Sequence, residues 1–177
     1  MKGETHAFSP LVERYKHMVF TLALRVVKNT EEAEEVAQDS FVKAYRGLSK
    51  FKGDSKFSTW LYRIAYYSAL DAVKKIKRIP ETELVDGYLG HAPQVVQNTL
   101  EDMVNEERSF RIRRAMQKLP SDYASLLTLH YFEELSLKEI SEIMGSSPDT
   151  LKVKLFRARK RLGGILETQQ KEKLAKS

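Results

Sequence analysis

Residues Leu135–Leu162, LSLKEISEIMGSSPDTLKVKLFRARKRL, read as two short helices around a tight turn, the second of them strongly basic. Ser136 stands where it can cap the first helix, and Glu139, three residues on, completes a capping box. Leu137, Ile140, Ile143 and Met144 recur at helical spacing. Gly145 suits the left-handed residue that ends a helix. Ser146 and Ser147 offer hydroxyl caps to the next helix, and Pro148 suits its first position. Burying Leu151, Leu155, Ala158 and Leu162 turns Thr150, Lys152, Val153, Lys154 and Arg157 outward; Phe156 fits either face. A rigidly held helix this basic fits a DNA major groove.

The charge is clustered rather than spread. The chain has 177 residues, 30 Lys and Arg against 24 Asp and Glu, and a formal net charge of +6. Excess positive charge alone is commonly a solubilising surface, but a solvated helix face usually mixes signs, and the helix after Pro148 has Asp149 as its only acid up to Leu162. Early residues of such a helix read base edges and later ones grip phosphate. Thr150, Lys152, Val153 and Arg157 are therefore assigned to the groove with Lys154 and Phe156 beside them, and Arg159, Lys160 and Arg161 to phosphate or a protein partner.

Working outward, the chain is all helical in pattern. Phe8, Leu11, Val12, Tyr15, Val19, Leu22 and Val26 mark a first amphipathic helix. Asn29 and Thr30 are turn and cap residues, and Glu31, Glu32, Glu34 and Glu35 crowd the start of a second helix, complementing its dipole. A polar loop from Ser49 to Lys56 follows, with Gly53 at its centre; Ser58 or Thr59 caps a third helix that ends in Lys74, Lys75, Lys77 and Arg78. Pro80 stops that pattern. From Ile79 to Glu107 there is no Lys or Arg but seven acids, with Gly87, Gly90 and Pro93 as breakers, so the segment reads as an acidic linker that turns helical from about Thr99. Periodicity resumes at Phe110, and Pro120, Ser121 and Asp122 start a further helix before the opening motif. Gly163 and Gly164 weaken the last helix, and the polar tail 166–177 is expected to fray. The expected fold is all-α: two small helical domains, residues 1–78 and 108–165, joined by the acidic linker 79–107, with a helix-turn-helix in the second.

The third helix carries Trp60, Tyr62, Tyr66 and Tyr67, too many aromatics to face inward together with Leu61, Ile64, Ala65 and Leu70. Aromatics at helical spacing are usually core; those left outside, beside Arg63, Lys74 and Lys75, suit unstacked single-stranded bases. The loop with Lys50, Lys52 and Lys56 can hold an extruded base. Gln38, Asp39 and Ser40 share a face with the acids of the second helix, which is either simply solvated or a dock for a basic partner.

Enzymatic readings find little support. His6, His17, His91 and His130 have no metal-ligand spacing, and His130, in an apolar helix, reads as a satisfied core histidine. No phosphate-binding glycine loop or nucleophile elbow occurs. The absence of cysteine excludes disulfides and thiolate metal sites. No run is apolar enough to span a membrane, and the N-terminus MKGETHAFSP lacks the apolar core of a secretion signal.

EEAEEVAQDSFVKAYRGLSKFKGDSKFSTWLYRIA, from Glu31, and LPSDYASLLTLHYFEELSLKEISEIMG, from Leu119, followed by TLKVKLFRARKRL, closely resemble the second and fourth conserved regions of the extracytoplasmic-function (ECF) group of sigma-70 factors. Two such blocks in this order are a specific signal, and the resemblance covers nearly the whole chain. It implies a non-catalytic subunit that gives bacterial RNA polymerase its promoter specificity, without a cofactor. By similarity, Glu35, Gln38, Asp39, Phe41, Val42 and Tyr45 should grip the polymerase clamp helices. Lys50, Lys52, Lys56, Ser58, Thr59, Trp60, Arg63, Tyr66, Tyr67, Asp71, Lys74 and Lys75 should capture the melted minus-ten element. The C-terminal domain should read the minus-thirty-five element and rest on the flap. The resemblance further implies a cytoplasmic protein restrained by an anti-sigma factor, which in such families is often membrane-attached. Tyr66, Tyr67, Lys74, Lys75, Ser147-Pro148-Asp149 and Val153 depart from the family's usual residues; Val153 in place of a frequent Ser exchanges a polar base contact for an apolar one, suited to a thymine methyl.

Overall fold

The computed structural model describes residues 4–76 and 100–175. These form seven α-helices: α1 (Glu4–Val27), α2 (Thr30–Gly47), α3 (Phe57–Ile76), α4 (Leu100–Gln117), α5 (Ser121–Tyr131), α6 (Leu137–Met144) and α7 (Pro148–Leu174), with one 3-10 turn at Leu48–Lys50. No strand occurs among the described residues. The acidic linker lies outside them, apart from the stretch from Leu100 that opens α4.

Local chemistry sets the helix ends. The Asn29 side chain accepts from Glu32 N at 3.0 Å and caps α2. Ser136 and Glu139 form the reciprocal capping box on α6, and Gly145 closes it at φ 66°. Ser147 Oγ accepts from Thr150 N at 3.3 Å at the head of α7. Two starts and stops differ from expectation. Helix α3 begins at Phe57, so Ser58 and Thr59 lie inside its first turn rather than capping it. Helix α7 runs unbroken through Gly163 and Gly164 to Leu174. Helix propagation adds one bond per residue fixed, so two glycines in an established helix weaken it without stopping it. Leu162 and Ile165 pack on the core on either side of them.

Helices α1, α2 and α3 pack on one another as an N-terminal bundle, while α5, α6 and α7 with α4 form the C-terminal unit. The two halves are not separate bodies. Helix α6 lies against α3 and α5 against α1, and the buried apolar residues of both halves form one continuous cluster. Sharing a core suits halves too small to bury much surface alone. Polar contacts fasten the joint. Lys28, in a left-handed conformation at the end of α1, sends its Nζ to the Leu119 carbonyl at 2.9 Å. Ser121 Oγ donates to the Val26 carbonyl at 3.2 Å. Lys56 pairs with Glu139 at 2.7 Å.

Candidate nucleic-acid interface

Helix α7 presents its basic face to solvent because its apolar stripe is fully spent on the core. Leu151, Leu155 and Ala158 are buried. Thr150, Lys152, Val153, Phe156, Arg157, Arg159 and Lys160 are exposed. Phe156, which fitted either face, is 62% exposed and points outward. Two of the cations are committed within the protein. Lys154 is half-buried and pairs with Asp122 at 3.3 Å, and Arg159 Nη1 donates to the Tyr131 hydroxyl at 3.3 Å. Lys154 therefore braces α7 against α5 and is less free than its neighbours to reach a duplex. Lys152, Arg157, Lys160 and Arg161 make no ion pair among the described residues, which leaves a one-signed patch.

On α3 the expected minus-ten residues divide between two faces. Arg63, Tyr67, Asp71, Lys74 and Lys75 are exposed. The Arg63 guanidinium lies 5.8 Å from the Tyr67 ring centre, and Lys74 pairs with Asp71 at 3.1 Å. Thr59 and Tyr66 are buried, at 2% and 6% exposure, and so is Tyr62. These three share the face turned toward the C-terminal half. Tyr62 donates to Glu133, and Tyr66 has its hydroxyl pKa raised to about 12 by burial first and by the charge of Asp122 second. The expectation that Thr59 and Tyr66 contact DNA directly is therefore not met in this arrangement. Tyr67 sits against the turn of the helix-turn-helix: a Cβ added at Gly145 would meet its hydroxyl oxygen at 2.6 Å.

The loop before α3 carries Lys50 and Lys52 exposed and Ser58 half-buried, while Lys56 is drawn to Glu139. That pair, with the Ser136 cap bonds, holds the Glu139 carboxyl down at about 2. The loop is walled by rings. Phe51, Phe57 and Trp60 lie within 5.1–5.9 Å of each other, centre to centre, and Tyr15 adds to the row at 5.7 Å from Phe57. Phe51 and Phe57 went unnoticed in the sequence; their signal is two aromatics bracketing a polar loop. Trp60 packs under the end of α2, where a Cβ on Gly47 would come within 3.3 Å of it.

Helix α2 turns Glu35, Gln38, Asp39, Val42 and Tyr45 to solvent and half-buries Phe41. Exposed acids beside exposed apolar groups make a surface suited to a basic, partly apolar helix. A second apolar surface lies across the C-terminal half. Ile112, Met116, Leu127, Phe132, Leu162 and Leu166 line a groove of about 380 Å³, and Phe132 is 60% exposed. His130 is half-buried with Nδ1 at 3.0 Å from the Leu135 carbonyl, a satisfied structural histidine. No helix among the described residues is long and apolar enough to cross a membrane.

Comparison with known proteins matches both halves of the chain. Residues 11–79 match the family model Sigma-70 region 2, and residues 109–162 match Sigma-70, region 4. The chain is 35% identical to the RNA polymerase sigma-H factor of Pseudomonas aeruginosa, over 97% of this chain and 92% of that one. It is 36% identical to the ECF RNA polymerase sigma factor SigW of Bacillus subtilis, over 91% and 89%. It is 37% identical to the ECF RNA polymerase sigma-E factor of Escherichia coli K12, over 89% and 85%. Among solved structures, the fold is similar to the sigma factor RpoE from Bartonella quintana in complex with the anti-sigma factor NepR, with TM-score 0.70, 21% identity and coverage of 91% and 97%. It is also similar to CnrH in complex with the cytosolic domain of CnrY, with TM-score 0.63, 22% identity and coverage of 94% and 92%. With a helix-turn-helix of the fourth region carrying a bare basic face, and an aromatic-walled loop of the second, this chain belongs to the ECF group of sigma-70 factors, the subunits that direct RNA polymerase to promoters.

Proposed function

We propose that the chain works by dividing promoter recognition between its halves, one reading intact duplex and the other holding separated strands. The observation that carries this reading is the unpaired cationic face of α7 on a capped, rigid support. Thr150, Lys152, Val153 and Arg157 enter the major groove of the minus-thirty-five element, and Lys160 and Arg161 grip phosphate. The loop from Lys50 to Ser58, with Trp60 and the exposed Arg63 and Tyr67, takes the melted minus-ten strand. Extruding a base costs a few kcal/mol, and stacking returns about 1–3 kcal/mol per base.

The α2 face around Asp39, Val42 and Tyr45 binds the polymerase clamp helices, and the apolar groove beside Phe132 receives the flap. Linking two weak DNA sites on that large scaffold supplies the affinity neither half has alone. Because Lys56 is held by Glu139 and Tyr67 lies against the turn at Gly145, strand capture requires the halves to part, and polymerase contacts on both hold them apart. The chain performs no chemistry of its own, acts in the cytoplasm, and is restrained by an anti-sigma protein; the two similar sigma-factor structures, each solved with a protein bound, support that last point.

The test is reconstitution. The purified chain added to core polymerase should give transcripts from promoters selected with that holoenzyme, and from a template with an unpaired bubble. No transcript above core enzyme alone on either template would refute the reading.

A further inference from the structure

Packing the halves together creates a crevice of about 690 Å³ that neither half possesses alone. One wall is α1, from Arg14 through Tyr15 and Met18 to Arg25. Eleven steps of 1.5 Å from Arg14 to Arg25 make that wall about 16 Å long. The opposite wall comes from α5 and the turn after it, with Thr128, Phe132 and Glu133. Lys56 stands at the α3 side.

The lining asks for negative charge. Of its cations Lys56 is already paired with Glu139, which leaves Arg14 and Arg25 against one lining carboxylate, Glu133, and that carboxylate already accepts from the Tyr62 hydroxyl. Two buried polar atoms there have no partner among the described residues: Arg25 Nε and Thr128 Oγ1. Thr128 is 1% exposed. Among the described residues Arg25 has no carboxylate paired with it; burial first, and the charge of Arg113 second, lower the pKa of its guanidinium. A buried polar group without a partner is costly, and a cation more so, unless a ligand satisfies it. The remainder of the crevice mixes Tyr15, Met18, Phe132 and Leu135 with the polar His17, Thr21 and Ser58. Apolar walls beside convergent polar groups suit a ligand that has both a ring and a charged group.

We propose that this crevice binds a nucleotide-sized molecule carrying a phosphate group, with the phosphate on Arg25 and Thr128 and the apolar part against Tyr15 and Phe132. Because α1 and α5 each supply half of the phosphate site, the occupied chain is the closed chain. A ligand that binds one of two states shifts the balance toward it by its differential affinity. Through the reading that strand capture needs the halves apart, occupancy then opposes promoter opening. The binding itself does not depend on that reading.

The experiment uses the free full-length chain, with ADP and inorganic pyrophosphate as probes in separate titrations. Calorimetry should give saturable one-to-one binding, tighter for ADP than for pyrophosphate because only ADP carries a ring. Arg25→Gln and the near-isosteric Thr128→Val should each weaken ADP at least tenfold, with thermal unfolding in the absence of ligand no lower than the parent's. Arg46→Gln, on the exposed end of α2, should bind as the parent does. The chain has no cysteine, so dyes placed through Glu34→Cys and Glu142→Cys report the two halves alone. ADP should raise energy transfer between them, and should not do so in the Arg25→Gln chain. Unsaturable binding, equal loss in Arg46→Gln and Arg25→Gln, or saturation without a change in transfer would each overturn the proposal. A chain that binds ADP yet fails to support transcription would leave this site standing and remove the promoter reading instead.

Discussion

The Tyr62 hydroxyl donates to Glu133 Oε2 at 2.6 Å, joining the middle of α3 to the turn after α5 across 71 positions of sequence. Tyr62 is 2% exposed, and losing water around the ring and gaining the carboxylate both push its pKa well above the ordinary phenol value. A hydrogen bond to a charged group contributes about 1.5–3 kcal/mol. Tyr62→Phe keeps the ring and deletes the bond. It should lower the free energy of unfolding by about 1–2 kcal/mol, since half-buried Glu133 can turn to water, and should reduce energy transfer between dyes on the two halves. Denaturant unfolding and transfer measurements on the free chain check both.

The Lys56–Glu139 pair gives a pH dependence with a definite sign. Lys56 and the Ser136 bonds hold the Glu139 carboxyl at about 2, below its ordinary 4.5. A lowered pKa means the ionised form is favoured in the packed state, so its contribution is complete above about pH 4.5 and is lost as pH falls toward 2. Lys56→Gln removes the contribution made across the joint and leaves the cap. The carboxyl should then titrate higher than in the parent but still below 4.5, followed by carbon-detected NMR of Glu139. An unmoved titration would mean that Lys56 does not hold the carboxylate in solution.

Gly145 should resist substitution for two separable reasons. Its φ of 66° disfavours any Cβ, and that Cβ would meet the Tyr67 hydroxyl at 2.6 Å. Gly145→Ala should cost about 1–2 kcal/mol from the backbone alone, plus the clash. In a Tyr67→Ala background only the backbone share should remain, so the cycle of single and double variants should show a coupling clearly different from zero in chemical denaturation.

Ile143 is fully buried in α6, between the turn and the core. Ile143→Ala should destabilise the chain by about 2–5 kcal/mol. Because one cluster spans both halves, a single cooperative transition should shift rather than the C-terminal half melting first; calorimetry distinguishes the two.

Arg157 and Lys154 differ in role although both lie on α7. Arg157 makes no ion pair among the described residues, whereas Lys154 is paired with Asp122. Arg157→Ala should weaken binding of the holoenzyme to its selected promoters by about 1–3 kcal/mol and relax the preference at the base pair it reads. Lys154→Ala should leave promoter affinity nearly unchanged and lower thermal stability instead.

The features legible in the sequence are those set within a turn or two of chain. The Ser136–Glu139 box, the left-handed Gly145 and the buried stripe of Leu151, Leu155 and Ala158 all depend on spacing, and spacing is printed in the letters. The joint between the halves is not. Nothing near Tyr62 says that Glu133 will meet it, and nothing near Lys56 points to Glu139. That joint also explains the aromatic count on α3. One bundle had no room for four rings, but α6 and the start of α5 add a second surface, so Tyr62 and Tyr66 are both buried and only Tyr67 is clearly exposed. Composition misled at the tail, where Gly163 and Gly164 signalled an end that Leu162 and Ile165 override by packing.

The lid that α6 forms over α3 also governs the fate of a chain that has not yet met polymerase. Aromatic rings left bare in water are adhesive patches that promote aggregation, and local opening invites proteolysis. Folded beneath the C-terminal half, Tyr62 and Tyr66 escape both hazards. The contact that closes the halves on each other therefore preserves the chain while it waits, and a variant that opens too easily should be shorter-lived in the cell.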